Sequence, residues 1–90
     1  MENEILNVLT NFLKDEWVMD EVYDARFFVD KYSNKYDSFR EPRKVRYNLN
    51  QMVEMGLICR VKDDYNVYYI KTEWFNLFNE DFNGYEKCIW

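Results

Sequence analysis

Residues 42–72 constrain the fold of this 90-residue chain more than any other stretch, because they predict a helix, a glycine stop and a hairpin in that order. Pro42 lies where a first helical residue tolerates the loss of its N–H. Gly56 can end the helix because glycine adopts a positive φ without a steric cost. The apolar residues between them recur at helical spacing and predict a buried stripe: Val45, Leu49, Met52 and Val53.

The hairpin is predicted from two short β-prone runs that follow the glycine, at 57–62 and 67–72. The polar residues at 63–66 suit the loop between them. Alternation along the first run predicts one apolar face and one wet face, with Ile58 as the exception. The apolar face would carry Leu57, Cys59 and Val61, and the wet face would carry Arg60 and Lys62.

Two further helices are predicted before residue 42. Asn3 is a good N-cap for the first, whose apolar face would carry Ile5, Val8, Leu9 and Phe12. Asp20 is a good N-cap for the second, which would turn a second stripe inward: Val22, Ala25, Phe28, Val29 and Tyr32. Residues 33–40 hold no helical period and are expected to form the turn before the third helix.

A fourth helix is expected over about 73–83, with Thr72 as its cap. Its apolar stripe has two alternative roles. It could form a homodimer interface, or it could fold back onto the first helix of the same chain, since a small domain needs the apolar area. The stripe consists of Trp74, Leu77, Phe78 and Phe82.

The length of the chain limits the number of domains, and its charges are unevenly distributed. Ninety residues, a fifth of them aromatic, fit a single domain over residues 1–90, with its core over about 3–72. The net charge is −5, but residues 40–62 hold six basic and two acidic side chains, a local charge of +4. Positive charge is therefore gathered on the third helix and the first strand. The simpler interpretation is that these side chains only solvate one helix face.

The sequence argues against an enzyme. It has no His, which removes the commonest general base and metal ligand, and no phosphate-binding glycine loop. Cys59 and Cys88 lie too far apart in sequence for a close metal-binding pair, so we expect no metal, no cofactor and a free buried Cys59. Low cysteine use, no signal segment and no apolar run of about 20 residues favour a cytoplasmic protein.

The order helix, Gly56, Leu57-Ile58, strand, turn, strand resembles the second half of a winged helix-turn-helix domain. The resemblance implies an α+β, mainly helical fold, with a three-helix core, a hairpin wing and an additional C-terminal helix. It also implies that a short link near Trp17 pairs with the wing, and that the helix at about 42–55 reads the major groove of duplex DNA. The residues that would contact DNA are Arg40, Arg43, Lys44, Arg46, Tyr47, Asn50, Gln51, Arg60 and Lys62.

Two functions therefore remain open at this stage. The first is a small duplex-DNA-binding transcriptional regulator, in which Arg and Asn side chains on the third helix contact bases. The second is an acidic protein-interaction module of the same fold, for example a viral or mobile-element inhibitor of a host nucleic-acid machine. The first is the leading hypothesis. The overall acidity and the acidic residues at the wing tip weigh against it and suit the second.

Overall fold

The structure is a computed structural model that describes residues 3–63, 66–77 and 86–87. It has an α+β architecture that is mostly helical, which confirms the predicted class. The elements in chain order are α1 (Glu4–Asp15), α2 (Ala25–Tyr32), a 3₁₀ helix (Asp37–Arg40), α3 (Pro42–Glu54), β1 (Ile58–Asp63), β2 (Asn66–Lys71), α4 (Thr72–Leu77) and β3 (Glu86–Lys87). Within the described ranges, no helix has the length and apolar character needed to cross a membrane.

Helix α1 forms as the sequence predicts. The side chain of Asn3 caps it by accepting a hydrogen bond from the backbone N–H of Leu6 at 3.1 Å. Ile5, Leu9 and Phe12 are buried on the inner face, and Val8 is half-buried. The Asn3 amide also donates to Asn48 Oδ1 at 2.7 Å, so the cap joins the start of α1 to α3.

Helix α2 begins later than predicted, and Asp20 is not its cap. Asp24 caps it instead, accepting from the N–H of Phe27 at 2.9 Å. The reason is a backbone bridge between Tyr23 and Tyr69 of β2, with N···O distances of 2.9 and 2.6 Å. Because that bridge needs extended backbone at Tyr23, the helix can start only after it. The segment that pairs with the hairpin is therefore at Tyr23 and not at Trp17.

The helical core is built around the ring of Phe12. Its ring lies edge-on to four neighbouring rings at centroid distances of 5.1–6.5 Å: Trp17, Tyr23, Phe28 and Tyr32. This arrangement of aromatic quadrupoles is favourable.

Burial raises the pKa of the Tyr32 phenol above its usual range, and the charges of Glu16 and then Tyr36 raise it further.

Helix α3 ends at Gly56 as predicted, with a φ of +79° at the glycine. The N–H of Leu57 donates to the carbonyl of Met52 at 3.1 Å, and that of Gly56 donates to Val53 at 3.0 Å. This pair of hydrogen bonds is the Schellman closure of a helix. The Thr72 hydroxyl then donates to the Gly56 carbonyl at 2.9 Å, so the residue expected to cap α4 joins the end of α3 to the start of α4.

Replacing Gly56 by alanine is expected to destabilise the fold by about 1 kcal/mol, because a Cβ disfavours positive φ. No atom lies within 4 Å of a Cβ built at this position, so the cost comes from the backbone alone. Urea unfolding monitored by circular dichroism measures it. Gly56→Asn is the control and should lose less, because asparagine tolerates this conformation. An equal loss in both variants would contradict the explanation.

The hairpin pairs β1 with β2 in the antiparallel register Ile58↔Lys71 to Asp63↔Asn66. Asp63 and Asn66, expected in the loop, are strand residues, and the rest of the predicted loop lies outside the described residues. On its other edge β1 pairs with β3, through Val61↔Lys87 and Lys62↔Glu86. Strand β3 was not predicted, since two residues are too few to show a period.

Both faces of the hairpin are covered near its base. Ile58 and Tyr69 pack into the helical core, so the face predicted to be wet is dry where it meets the helices. On the other face Cys59, Val61 and Ile70 are buried as a second small core, although Leu57 is exposed. Residues of α4 cover this second core: Trp74 and Phe75.

The C-terminal helix is described over Thr72–Leu77 as α4, and the rest of the expected span of 73–83 lies outside the described residues. Within the proposed dimer stripe, Trp74 packs against the second core of its own chain and Leu77 is exposed. Phe78 and Phe82 lie outside the described residues. Packing within the chain therefore explains the apolar side chain at position 74 without a dimer.

Candidate nucleic-acid interface

The exposed face of α3 carries three of the four side chains that the sequence predicted for its outer stripe, and the fourth, Asn50, is half-buried. Val45, Leu49 and Met52 are fully buried, which fixes the opposite face outward. Arg43 and Arg46 are exposed one turn apart, and the Tyr47 side chain is 61% exposed beside them. Within the part of the chain that the structure describes, neither arginine forms an ion pair. Two guanidinium groups are thus available to a ligand.

A groove of about 640 Å³ lies on one side of this face, between α3, the start of α1 and the 3₁₀ helix. Arg43, Lys44 and Tyr47 line its α3 wall. Across it, Glu4 accepts a hydrogen bond from the Ser38 hydroxyl at 2.7 Å, so a partnered carboxylate faces the cations. The groove is therefore mixed in charge.

A second groove, of about 490 Å³, lies on the other side of the face, between α2, α3 and the hairpin. Arg46 from α3 and Arg26 from α2 both line it, with Asn66, Val67 and Tyr69 from β2. Asp24 lies there too, but its Oδ1 caps α2. Sequence reasoning missed Arg26, because it is an isolated cation in an acidic half of the chain and its position depends on how α2 packs on α3.

Two of the predicted cations already have acidic neighbours. Lys44 Nζ lies 2.7 Å from Glu41 Oε2, and Arg40 Nε lies 3.5 Å from both Asp37 Oδ1 and the Ser33 carbonyl oxygen. All of these side chains are well exposed, so each pair contributes only about 0–1 kcal/mol. A polyanion could replace such acidic partners at little cost.

Asn50, Arg60 and Tyr69 come together between α3 and the hairpin. The Tyr69 hydroxyl donates to Asn50 Oδ1 at 2.9 Å, and Arg60 Nη1 lies 3.5 Å from the same oxygen. Asn50 and Arg60 are half-buried, and Tyr69 is buried. Two residues predicted to contact DNA therefore join α3 to the hairpin. Of the remaining two, Gln51 is half-buried and Lys62 is exposed on β1.

We expect Tyr69→Phe to destabilise the protein by about 1 kcal/mol, because the Asn50 oxygen loses its shortest hydrogen bond while the ring stays in place. Urea unfolding measures the change in free energy. Tyr47→Phe is the matched control, since Tyr47 is exposed, and it should change stability by less than about 0.5 kcal/mol. Equal stability of both variants would mean that the Tyr69 hydrogen bond does not hold the hairpin.

Asn48 is the one buried polar residue among the described side chains of the core. It accepts from Asn3 at 2.7 Å and donates to the Lys44 carbonyl at 2.9 Å. These bonds hold the start of α1 against α3 and so fix the wall of the first groove. Asn48 lies three residues after Val45, a helical spacing that puts it near the inner face of α3. It was not predicted to join α1 to α3, because the predicted stripe contained only apolar residues.

The described residues contain no group of three or more His, Cys, Asp or Glu side chains arranged to hold a metal ion. Comparisons with known protein families, with curated proteins and with solved structures gave no match. The function is therefore inferred from the surface of the chain itself.

Proposed function

We propose that this chain is a winged helix-turn-helix protein that binds duplex DNA, most simply as a transcriptional regulator, with α3 in the major groove. The observation that carries the proposal is the exposed pair Arg43 and Arg46, without ion pairs in the described part of the chain and flanked by two grooves. The element order and the Gly56 junction support the fold assignment.

The roles of the side chains follow from their exposure. The major groove of B-DNA is about 12 Å wide and admits a helix, where arginine can donate two hydrogen bonds to guanine. Arg43 and Arg46 are suited to this role, and Tyr47 to a phosphate or sugar contact. Other exposed cations, on α3 and on the elements next to it, would contact phosphates on either side: Arg26, Arg40, Lys44 and Lys62. Asn50 and Arg60 would act indirectly, by holding the hairpin against α3.

The affinity for DNA is expected to fall as the salt concentration rises, because the release of counterions from DNA drives binding. The net charge of −5 opposes approach to a polyanion, so few phosphates should be neutralised. With about three of the four named cations neutralising phosphates, the slope of log K against log salt should be about −2.7, which is a roughly 40-fold loss of affinity from about 50 to 200 mM salt.

The test is a salt series of fluorescence anisotropy with a labelled duplex of mixed sequence and the full chain. A slope near the expected value supports contact with the DNA backbone. Absence of binding at the lowest salt would overturn the proposal and leave a protein partner as the assignment.

A further inference from the structure

The link between α1 and α2 exposes apolar side chains. The N–H of Glu21 donates to the carbonyl of Val18 at 3.1 Å, which closes a turn over 18–21. Val18 and Met19 lie in this turn with 49% and 40% of their surfaces exposed. Residues at such a turn are commonly polar, so two apolar side chains at this position call for an explanation.

Phe27 extends this apolar surface onto α2. Its side chain is 38% exposed, and its ring lies 4.7 Å from the ring of Tyr23. The Tyr23 hydroxyl accepts from the N–H of Val18 at 3.3 Å, so the turn and Phe27 both adjoin the same tyrosine. Val18, Met19 and Phe27 together are called the apolar patch below. Single exposed apolar residues are ordinary, but neighbouring ones often mark a binding surface.

Acidic side chains surround the apolar patch. Asp20 and Glu21 lie in the same turn, and Asp30 lies one turn along α2 from Phe27; all three are exposed and have no ion pair among the described residues. Glu16 is also exposed, and it faces Lys31 at 3.7 Å. The nearby cations are Lys31 and Arg26. The balance around the patch is therefore negative.

We propose that the apolar patch and its acidic rim dock a basic segment of a partner protein that carries an apolar anchor. Charge complementarity selects this partner, because an acidic rim attracts Lys and Arg and repels acidic chains. An apolar or aromatic anchor on the partner would bury Val18 and Phe27, and such buried anchors supply most of the affinity at interfaces. The apolar patch and its acidic rim share no residue with the set proposed to contact DNA, although Arg26 of that set adjoins Phe27 in sequence.

The experiment is selection from a displayed library of random peptides against the immobilised full chain, followed by anisotropy with the selected peptides. Selected peptides are expected to combine Lys or Arg with an apolar residue. Val18→Ser with Phe27→Ser should weaken binding at least about tenfold. The matched control is Met55→Ser with Leu57→Ser, which removes exposed apolar side chains elsewhere and should leave affinity unchanged.

A second variant tests the same surface without substituting Phe27, so its result does not depend on whether the Phe27 variant folds. Asp20→Lys with Glu21→Lys reverses two exposed charges without touching the core, and it should also weaken peptide binding at least about tenfold. The proposal is overturned if selected peptides lack basic residues, or if both apolar pairs affect binding equally. It is also overturned if the patch instead mediates self-association, seen as a concentration-dependent mass that the patch variants abolish.

The proposal of DNA binding and the proposal of a docking surface are tested independently. The variant Val18→Ser with Phe27→Ser keeps the net charge and should bind DNA as the parent chain does, and a chain that lacks the arginines of α3 should bind the peptides as the parent does. Loss of both activities in a patch variant that keeps the parent's circular dichroism spectrum and unfolding midpoint would show one shared surface, which contradicts a separate docking site.

Discussion

Replacing Arg43 and Arg46 together by alanine is expected to weaken duplex-DNA binding about 100-fold. Each arginine is suited to a contact worth about 1–3 kcal/mol, and a total near 2.8 kcal/mol corresponds to that factor. If both act on phosphates instead of bases, the salt slope should also shrink by about two. Anisotropy with the same duplex across the salt series measures the affinity and the slope together.

The control must lose the same charge from another part of the surface. Lys14→Ala with Lys35→Ala does this, since both lysines are exposed, one in the last turn of α1 and the other after α2. This pair should change the affinity only slightly. Equal losses in the two double variants would mean that binding follows net charge alone, and the assignment of α3 as the reading helix would be wrong.

Replacing Phe12 by alanine is expected to destabilise the protein by about 3–5 kcal/mol, the largest effect of any single substitution considered. The ring is buried, and it lies edge-on to rings from the α1–α2 link and from α2, so its loss opens a cavity where those elements meet. Since a domain of this size has a stability of about 5–15 kcal/mol, the variant would retain only part of its stability.

Urea unfolding followed by tryptophan fluorescence and circular dichroism measures this loss. Met55→Ala provides the comparison, because Met55 is 52% exposed and should change the free energy of unfolding by less than about 0.5 kcal/mol. A Phe12→Ala loss below about 1.5 kcal/mol would contradict the central place of this ring in the core.

The parts of the fold that depend on local chemistry could be predicted from sequence. Pro42 and Gly56 set the ends of α3, and the cap at Asn3 set the start of α1. The start of α2 could not be predicted, because Asp20 and Asp24 are equally good caps in isolation. The choice between them is made by Tyr69, a residue far along the chain that pairs with Tyr23.

The candidate site likewise combines features that local spacing predicts and features that depend on tertiary packing. Helical spacing alone placed Arg43, Arg46 and Tyr47 on the outer face of α3. It also placed Asn50 there, but the hairpin folds back and engages that amide through Tyr69. Such engagement depends on the tertiary packing of two elements, which spacing within one helix does not report. The same reason kept Arg26 out of the predicted set.

The hydrogen bond from Thr72 to the Gly56 carbonyl closes the hairpin at its base, and that between Tyr69 and Asn50 holds it midway. Helix α3 and the hairpin are thus joined at two levels. Segments joined in this way lose little freedom when a ligand spans both, because their relative position is already set before the encounter. A ligand that contacts both α3 and the hairpin would therefore find their relative orientation already fixed.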